Sequence, residues 1–235
     1  MIVALHGFLG APDDFVPALE GLPWHGARVP FHAREEHASY TSWHAAIAAL
    51  ARALPAGDLV LVGYSLGARL ALGLTFALGD RVRALIAISG HAGLPPAERP
   101  ARARFEHEMA ERLETQSIER FVDEWEKLPL FATQAAQVSP ERMAQQRQKR
   151  LAHDPKIVSG AFRVLGTSQM PHYETELGAL HAKVTWIAGD RDEKCRVLAE
   201  RYAAAGGRRE ILAGGHNLLL EAPDALAAAI RRGLP

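Results

Sequence analysis

Leu59-Val60-Leu61-Val62-Gly63-Tyr64-Ser65-Leu66-Gly67-Ala68-Arg69 is the stretch from which the rest of the chain can be read. An unbroken Leu/Val run enters a Gly-x-Ser-x-Gly turn and leaves it as an Ala/Leu-rich segment that continues to Leu78. A short continuous apolar run bounded by glycine reads as a strand buried on both faces, and the segment after it as a packed helix. Strand, sharp turn and helix with a serine at the apex is the setting of a nucleophile elbow. Such a turn puts the serine in a strained conformation with its hydroxyl projecting, and glycines two residues to either side remove the crowding. As a bare pattern Gly-x-Ser-x-Gly also occurs as a glycine-rich turn with an incidental serine. Its place between a strong strand and a strong helix separates the two readings.

Working outward, residues 2–5 form an apolar run that ends in His6-Gly7-Phe8-Leu9-Gly10, a strand feeding a loop. Residues 13–19 read as a short helix and 27–29 as a weak strand closed by Pro30. Trp43, Ile47, Leu50 and Leu54 recur at helical spacing behind Thr41 and Ser42, giving a helix over 42–54. A strand follows at 84–88. Beyond Gly93 the texture turns charged, with amphipathic helical patterns around 97–115, 117–127 and 140–152. Strand texture returns at 184–188, followed by a helix over 197–204, a short strand at 210–212 and a terminal helix over 223–232. Strands alternating with helices imply a mostly parallel sheet flanked by helices. The expected organisation is an α/β core made of residues 1–94 and 183–235, with residues 95–182 inserted as a helical lid.

Composition narrows the function class. The chain has 235 residues, 27 Lys plus Arg, and 27 Asp plus Glu. A balanced charge argues against bulk electrostatic binding to nucleic acid or anionic membrane. A single cysteine, Cys195, allows neither an internal disulfide framework nor a cysteine zinc cluster. Met1 is followed at once by Ile-Val-Ala-Leu with no basic stretch, so no signal peptide is expected, and no run of about 18 apolar residues suggests a membrane span. The expectation is a cytoplasmic protein with a small-molecule partner, and nothing in the sequence requires more than a monomer.

A serine hydroxyl needs a neighbouring imidazole to act as base or nucleophile at neutral pH. Among the eleven histidines, His216 stands out, because Gly214-Gly215-His216-Asn217 lies between the last strand and the terminal helix. An acidic partner is expected after an earlier strand, where Gly189-Asp190-Arg191-Asp192 offers Asp192 and, less favoured, Asp190. The order Ser65, Asp192, His216 is the chain order of an α/β-hydrolase triad. An oxyanion hole is expected from the N–H of Leu66, the residue after the serine, and that of Phe8 in the loop after the first strand. Neither a metal nor an organic cofactor is expected, since His216 has no further ligand at metal-binding spacing.

Together His6-Gly7-Phe8-Leu9-Gly10, Gly63-Tyr64-Ser65-Leu66-Gly67, Gly189-Asp190-Arg191-Asp192 and Gly215-His216-Asn217 resemble the α/β-hydrolase superfamily over essentially the whole chain. Within it the chain resembles the MenH enzymes, 2-succinyl-6-hydroxy-2,4-cyclohexadiene-1-carboxylate synthases of menaquinone biosynthesis. The marks are Tyr64 to Arg69, Gly90-His91-Ala92-Gly93-Leu94, Trp125 before Pro129-Leu130-Phe131, Asp192-Glu193-Lys194 and Gly215-His216-Asn217. The resemblance implies a lyase that eliminates pyruvate from an enolpyruvyl-succinyl-cyclohexene carboxylate, with Ser65 activated by His216 to remove a ring proton. A carboxylesterase or thioesterase working through an acyl-enzyme is the alternative, and a catalytically silent ligand-binding protein is the third reading.

The resemblance also implies substrate-binding residues. Arg69 matches a post-serine arginine. Arg102 matches a lid arginine with Arg99 as rival, and Arg150 a second with Arg147 as rival. Guanidinium groups suit a tricarboxylate by paired hydrogen bonds. Trp125 and Tyr64 are further expected contacts, with His91 and Lys194 behind them. The chain departs from the family at Arg28-Val29-Pro30-Phe31-His32-Ala33, where an Asp-Leu-Pro-Gly-His-Gly loop is usual, and at Ala68, which replaces a second glycine.

Overall fold

A computed structural model describes residues 1–32 and 40–235. Ala33, the last residue of the departing loop, lies outside the described residues. Six strands form one sheet: β1 (Ile2–Leu5), β2 (Trp24–Ala27), β3 (Leu59–Tyr64), β4 (Val82–Ile88), β5 (Lys183–Gly189) and β6 (Arg208–Leu212). Their order is β2-β1-β3-β4-β5-β6, and every neighbouring pair is parallel. The elbow strand β3 sits centrally, pairing Ile2 with Val60 on one side and Tyr64 with Ile88 on the other.

Period-two alternation explains the continuous apolar runs. Val3, Leu5, Leu59 and Leu61 pack into one core and Ile2, Ala4, Val60 and Val62 into another, so the two cores lie on opposite faces of the sheet. The helices of eight or more residues are α1 (Trp43–Ala53), α2 (Leu66–Leu78), α3 (Arg99–Thr115), α4 (Ile118–Trp125), α5 (Pro140–Leu151), α6 (Pro155–Leu165), α7 (Glu193–Ala203) and α8 (Pro223–Gly233). The first core takes side chains from α1, α2 and α7; the second takes Phe15, Leu19, Leu226 and Ile230. No helix among the described residues is long and apolar enough to cross a membrane.

Several elements differ from expectation; helix α7, read over 197–204, starts at Glu193, where Asp192 caps it, and a short helix at Leu218–Glu221 precedes α8. The weak strand read at 27–29 lies earlier, at Trp24–Ala27, because the Val29 N–H is taken by the ring of His6 (3.2 Å) rather than by a neighbouring strand. The helix read over 13–19 is a 3₁₀ turn at Pro12–Phe15 continued by one α-turn at Val16–Leu19. Helix α6 was not expected at all. Its signal was a capping residue: Asp154 accepts from the N–H groups of Lys156 (2.9 Å) and Ile157 (3.3 Å), and Pro155 follows at the first helical position.

Helices α3 to α6 all fall between β4 and β5. They build a third apolar cluster, in which Met109, Leu113, Phe121, Val158 and Phe162 close over Leu9 and Phe8. The inserted segment therefore packs onto the loop after β1, at the end of the sheet where the elbow turns.

Candidate active site

At the apex of the elbow Ser65 has φ 52° and ψ −109°, left-handed backbone that a side chain tolerates only when its surroundings impose it. The surroundings do so. The Ser65 N–H donates to the Ile88 carbonyl (2.9 Å), and Leu66 starts α2 directly. A Cβ on Gly67 would run into the Leu5 and His6 carbonyls, and one on Gly63 into the backbone of Gly67. Strand and helix therefore approach closely only with glycine at both positions.

The imidazole of His216 bridges two groups. Its Nε2 lies 3.0 Å from Ser65 Oγ and its Nδ1 2.6 Å from Asp192 Oδ2. Both His216 and Asp192 are 7 % exposed. Burial alone would raise the Asp192 carboxyl, but the hydrogen bond from His216 and the imidazole's charge outweigh it and hold the group below the usual carboxylate range. The other Asp192 oxygen caps α7 by accepting from Cys195 N–H (3.2 Å). Asp190 is elsewhere: it accepts from Gly214 N–H (2.9 Å) and braces the loop instead of the imidazole. Cys195 Sγ lies 3.9 Å from His216 Nδ1, and burial pushes its thiol well up, so it stays protonated.

Phe8 and Leu66 both line the cleft that contains Ser65. As first residue of α2, Leu66 has no intrahelical acceptor for its N–H. The loop carrying Phe8 is held by two buried histidines the sequence did not single out. His32 Nε2 accepts from Leu9 N–H (3.1 Å), and His6 Nε2 accepts from Val29 N–H (3.2 Å), while their other ring nitrogens face the carbonyls of Pro30 and Gly7. Burial lowers His6 to about 4 and His32 well below its ordinary value.

That makes a pH prediction. With a folded value of about 4 against about 6.5 unfolded, His6 takes up its proton first in the unfolded chain. Stability is therefore full above about pH 6.5 and is lost as pH falls toward 4, by about 2 kcal/mol at pH 5 from this group alone. Urea unfolding at pH 7.5 and 5.0 should show the loss, and NMR should find the His6 ring neutral at pH 5. A ring that titrates near 6.5 would refute it.

The cleft encloses about 280 Å³. One wall is aromatic: Phe8 packs against Trp125 (4.9 Å between centroids) and Phe162 (4.7 Å), and Phe131 stands between Trp125 and His216. Trp125 thus both lines the cleft and anchors the inserted segment. The polar lining includes Arg69, His91, Arg102 and Lys194. Arg69 donates to the Leu165 carbonyl (2.7 Å), and burial lowers its guanidinium to about 10. Arg102 Nε donates to Glu106 (2.6 Å). Burial, then the charges of Arg69, Lys194 and Arg102, holds His91 well below its ordinary value, so its ring is neutral. Tyr64 packs its ring on His216 (5.6 Å), and burial raises its hydroxyl.

Of the rival arginines, Arg102 faces the cleft, whereas Arg99 Nε turns to the Leu94 carbonyl (3.3 Å). Neither Arg150 nor Arg147 lines the cleft. Arg150 is buried, pairs with Glu126 (2.8 Å) and lines a separate cavity of about 140 Å³ that shares Phe8, Tyr64 and Phe131 with it; Arg147 is bound to Asp123 and Glu126. Helix α5 sets the Arg150 guanidinium over the Phe131 ring (5.2 Å to its centroid), in a cavity that Ser65 does not line, which accounts for the difference.

Three polar cleft residues besides Cys195 escaped the sequence reading: Glu106, Thr167 and Ser89. Glu106 is buried and accepts from Arg102, Thr167 N–H (2.5 Å) and the Ser168 hydroxyl (2.6 Å), a role its i, i+4 spacing from Arg102 foreshadowed. Ser89, at φ 49°, lines the cleft, and its buried hydroxyl has no protein partner among the described residues; no sequence signal marks it.

Comparison with known proteins bears on all of this. A model of the alpha/beta hydrolase family matches residues 2–229. Protein PHYLLO, chloroplastic, from Arabidopsis thaliana is 26 % identical over 98 % of this chain, which spans only 15 % of that protein's length. A putative 2-succinyl-6-hydroxy-2,4-cyclohexadiene-1-carboxylate synthase from Haemophilus influenzae is 27 % identical, covering 94 % of this chain and 91 % of its own. Among solved structures, MenH from S. aureus superimposes with a TM-score of 0.92 at 28 % identity, covering 99 % of this chain and 92 % of that one.

Proposed function

The chain belongs to the alpha/beta hydrolase family and is an enzyme of its MenH-like or esterase type, and we propose that it is a lyase eliminating pyruvate from an enolpyruvyl-succinyl-cyclohexene carboxylate. The product would be 2-succinyl-6-hydroxy-2,4-cyclohexadiene-1-carboxylate. The observation that carries this reading is the set of cations, Arg69, Arg102 and Lys194, in the same cleft as Ser65 and His216. A tricarboxylate needs such a wall, and the similarity to MenH-named proteins points the same way.

In this mechanism His216 takes the Ser65 proton, and the serine oxygen removes the ring proton beside the succinyl carbonyl. The C–H bond breaks, and negative charge develops on that carbonyl oxygen, where the Phe8 and Leu66 N–H groups would receive it. The electron pair then moves through the ring, a new ring double bond forms, and the C–O bond to the enolpyruvyl group breaks. The departing enolate takes its proton back from the triad and leaves as pyruvate. No acyl-enzyme is formed.

The aromatic wall formed by Phe8, Trp125 and Phe162 favours a second reading, an esterase or thioesterase for apolar acyl groups. There Ser65 attacks the carbonyl and an acyl-enzyme is hydrolysed. Arginine substitution separates the two. For the lyase, Arg69→Ala and Arg102→Ala should each lower kcat/KM for the tricarboxylate by roughly 10–150-fold, the loss of one charge-assisted contact. Each also disturbs a protein contact, to Leu165 and Glu106, but that damage falls equally on a neutral ester assayed alongside. Equal losses on both substrates would promote the esterase.

A further inference from the structure

Glu221 ends the short helix Leu218–Glu221 just after His216 and makes no hydrogen bond to any of the three triad side chains. Its carboxylate nevertheless gathers donors from two places. Oε2 accepts from Gly215 N–H (2.7 Å) and Oε1 from Asn217 N–H (3.2 Å), the residues on either side of His216. Oε2 also accepts from the Thr133 hydroxyl (2.7 Å), and Gln137, with its amide nitrogen turned inward, donates to the same oxygen at 3.1 Å. Thr133 and Gln137 belong to the inserted segment just beyond Phe131, which lines the cleft. The packing is tight: a Cβ on Gly215 would lie 3.0 Å from both Glu221 oxygens and collide with Thr133 Oγ.

We propose that Glu221 is a positioning residue that pins the His216 loop from both sides and makes its placement over Ser65 depend on the seating of residues 133–137. The inference rests on reading Ser65 and His216 as the reaction centre. It does not depend on which substrate they serve. One carboxylate accepting from both flanking N–H groups fixes the backbone that carries the imidazole, and ionised acceptors make the stronger bonds. The Ser65–His216 contact is a single 3.0 Å hydrogen bond, and a shift of about 1 Å in a reacting group costs on the order of 100-fold. Because Thr133 and Gln137 share the carboxylate, displacing their segment removes two of its partners and frees it to move. Seating of the inserted segment and alignment of the imidazole are then one event.

The test uses the full chain with Glu221→Gln, Thr133→Val and the double variant. A fluorophosphonate probe reports the centre without reference to the natural substrate. Ser65 Oγ bonds to phosphorus, the P–F bond breaks, fluoride leaves and His216 takes the serine proton. The second readout is the low-field proton resonance of the His216 Nδ1–H bonded to Asp192, which a change in overall stability alone would not move. Glu221→Gln leaves one flanking N–H facing an amide donor, so phosphonylation should slow roughly 10-fold or more, with the low-field signal shifted or broadened. Thr133→Val should slow it less and add nothing further in the Glu221→Gln background.

Rates for Glu221→Gln within threefold of the parent, or losses that multiply in the double variant, would overturn the proposal. If Glu221→Gln does not fold, Thr133→Val alone decides, since it keeps both loop contacts; an unchanged rate and resonance there also overturn it. A parent chain that the probe leaves unlabelled removes the triad reading, and this inference with it. Normal labelling without pyruvate release removes only the lyase.

Discussion

Ser65→Ala is expected to lower turnover by roughly 10³-fold or more on the enolpyruvyl substrate and on a p-nitrophenyl ester alike, while the protein stays folded. Whether the serine oxygen removes a ring proton or attacks an acyl carbon, it is the atom that reacts, so the two readings agree here. The structural cost should be small. Among the described residues the hydroxyl makes one protein hydrogen bond, to His216 Nε2, and alanine keeps the Cβ that already sits at φ 52°. A melting temperature lowered by no more than roughly 4 °C is therefore expected. Ser65→Gly provides the control. It loses the same oxygen but relieves the left-handed backbone, so it should be equally inactive and about 1 kcal/mol more stable than Ser65→Ala. Either variant retaining a third of the parent activity would take Ser65 out of the mechanism.

The strain at Ser65 shows why the site was so readable. A strand, a helix and two glycines at fixed spacing are local features, and the backbone between them has few ways to turn. Residues 59–78 were legible for that reason, as was the order of the buried strands, whose continuous apolar runs report cover on both faces. Asp192 and His216 could be named because each sits in the loop after a strand, and in an all-parallel sheet those loops leave at the same end as the elbow. What stayed hidden depends on packing between segments distant in sequence. Arg102 and Arg150 look alike as charged positions on amphipathic helices, but α3 turns Arg102 into the cleft while α5 places Arg150 over Phe131 in the neighbouring cavity. Glu106 and Ser89 take their meaning from neighbours 61 residues and 98 residues away, Thr167 and Ile187 respectively. Helix α6 was lost because Gly160 and its β-branched residues weaken the helical pattern, while its apolar face is needed to close over Phe8.

Asp192→Asn should reduce turnover by roughly 10⁴-fold, the scale on which losing the orienting anion of such a triad acts. Asp192 Oδ2 accepts from His216 Nδ1 at 2.6 Å, which keeps the proton on Nδ1 and leaves Nε2 free to take one from Ser65. An asparagine can place its amide N–H against Nδ1, move the imidazole proton to Nε2 and so remove the base. It also withdraws the negative charge that stabilises the imidazolium formed in the reaction. The fold should survive, because the second job of Asp192 is to cap α7 through Cys195 N–H, and asparagine caps helices as well as aspartate does. Cys195 cannot stand in as the anion, since burial keeps its thiol protonated although its sulfur lies only 3.9 Å from Nδ1. Asp190→Asn is the matched comparison. Its side-chain oxygen still accepts from Gly214 N–H, so activity within about threefold of the parent is expected. The pair of variants discriminates sharply: if Asp190→Asn is the crippling change and Asp192→Asn is mild, the imidazole is held by the other carboxylate during turnover, and the resting geometry of His216 is not its working one.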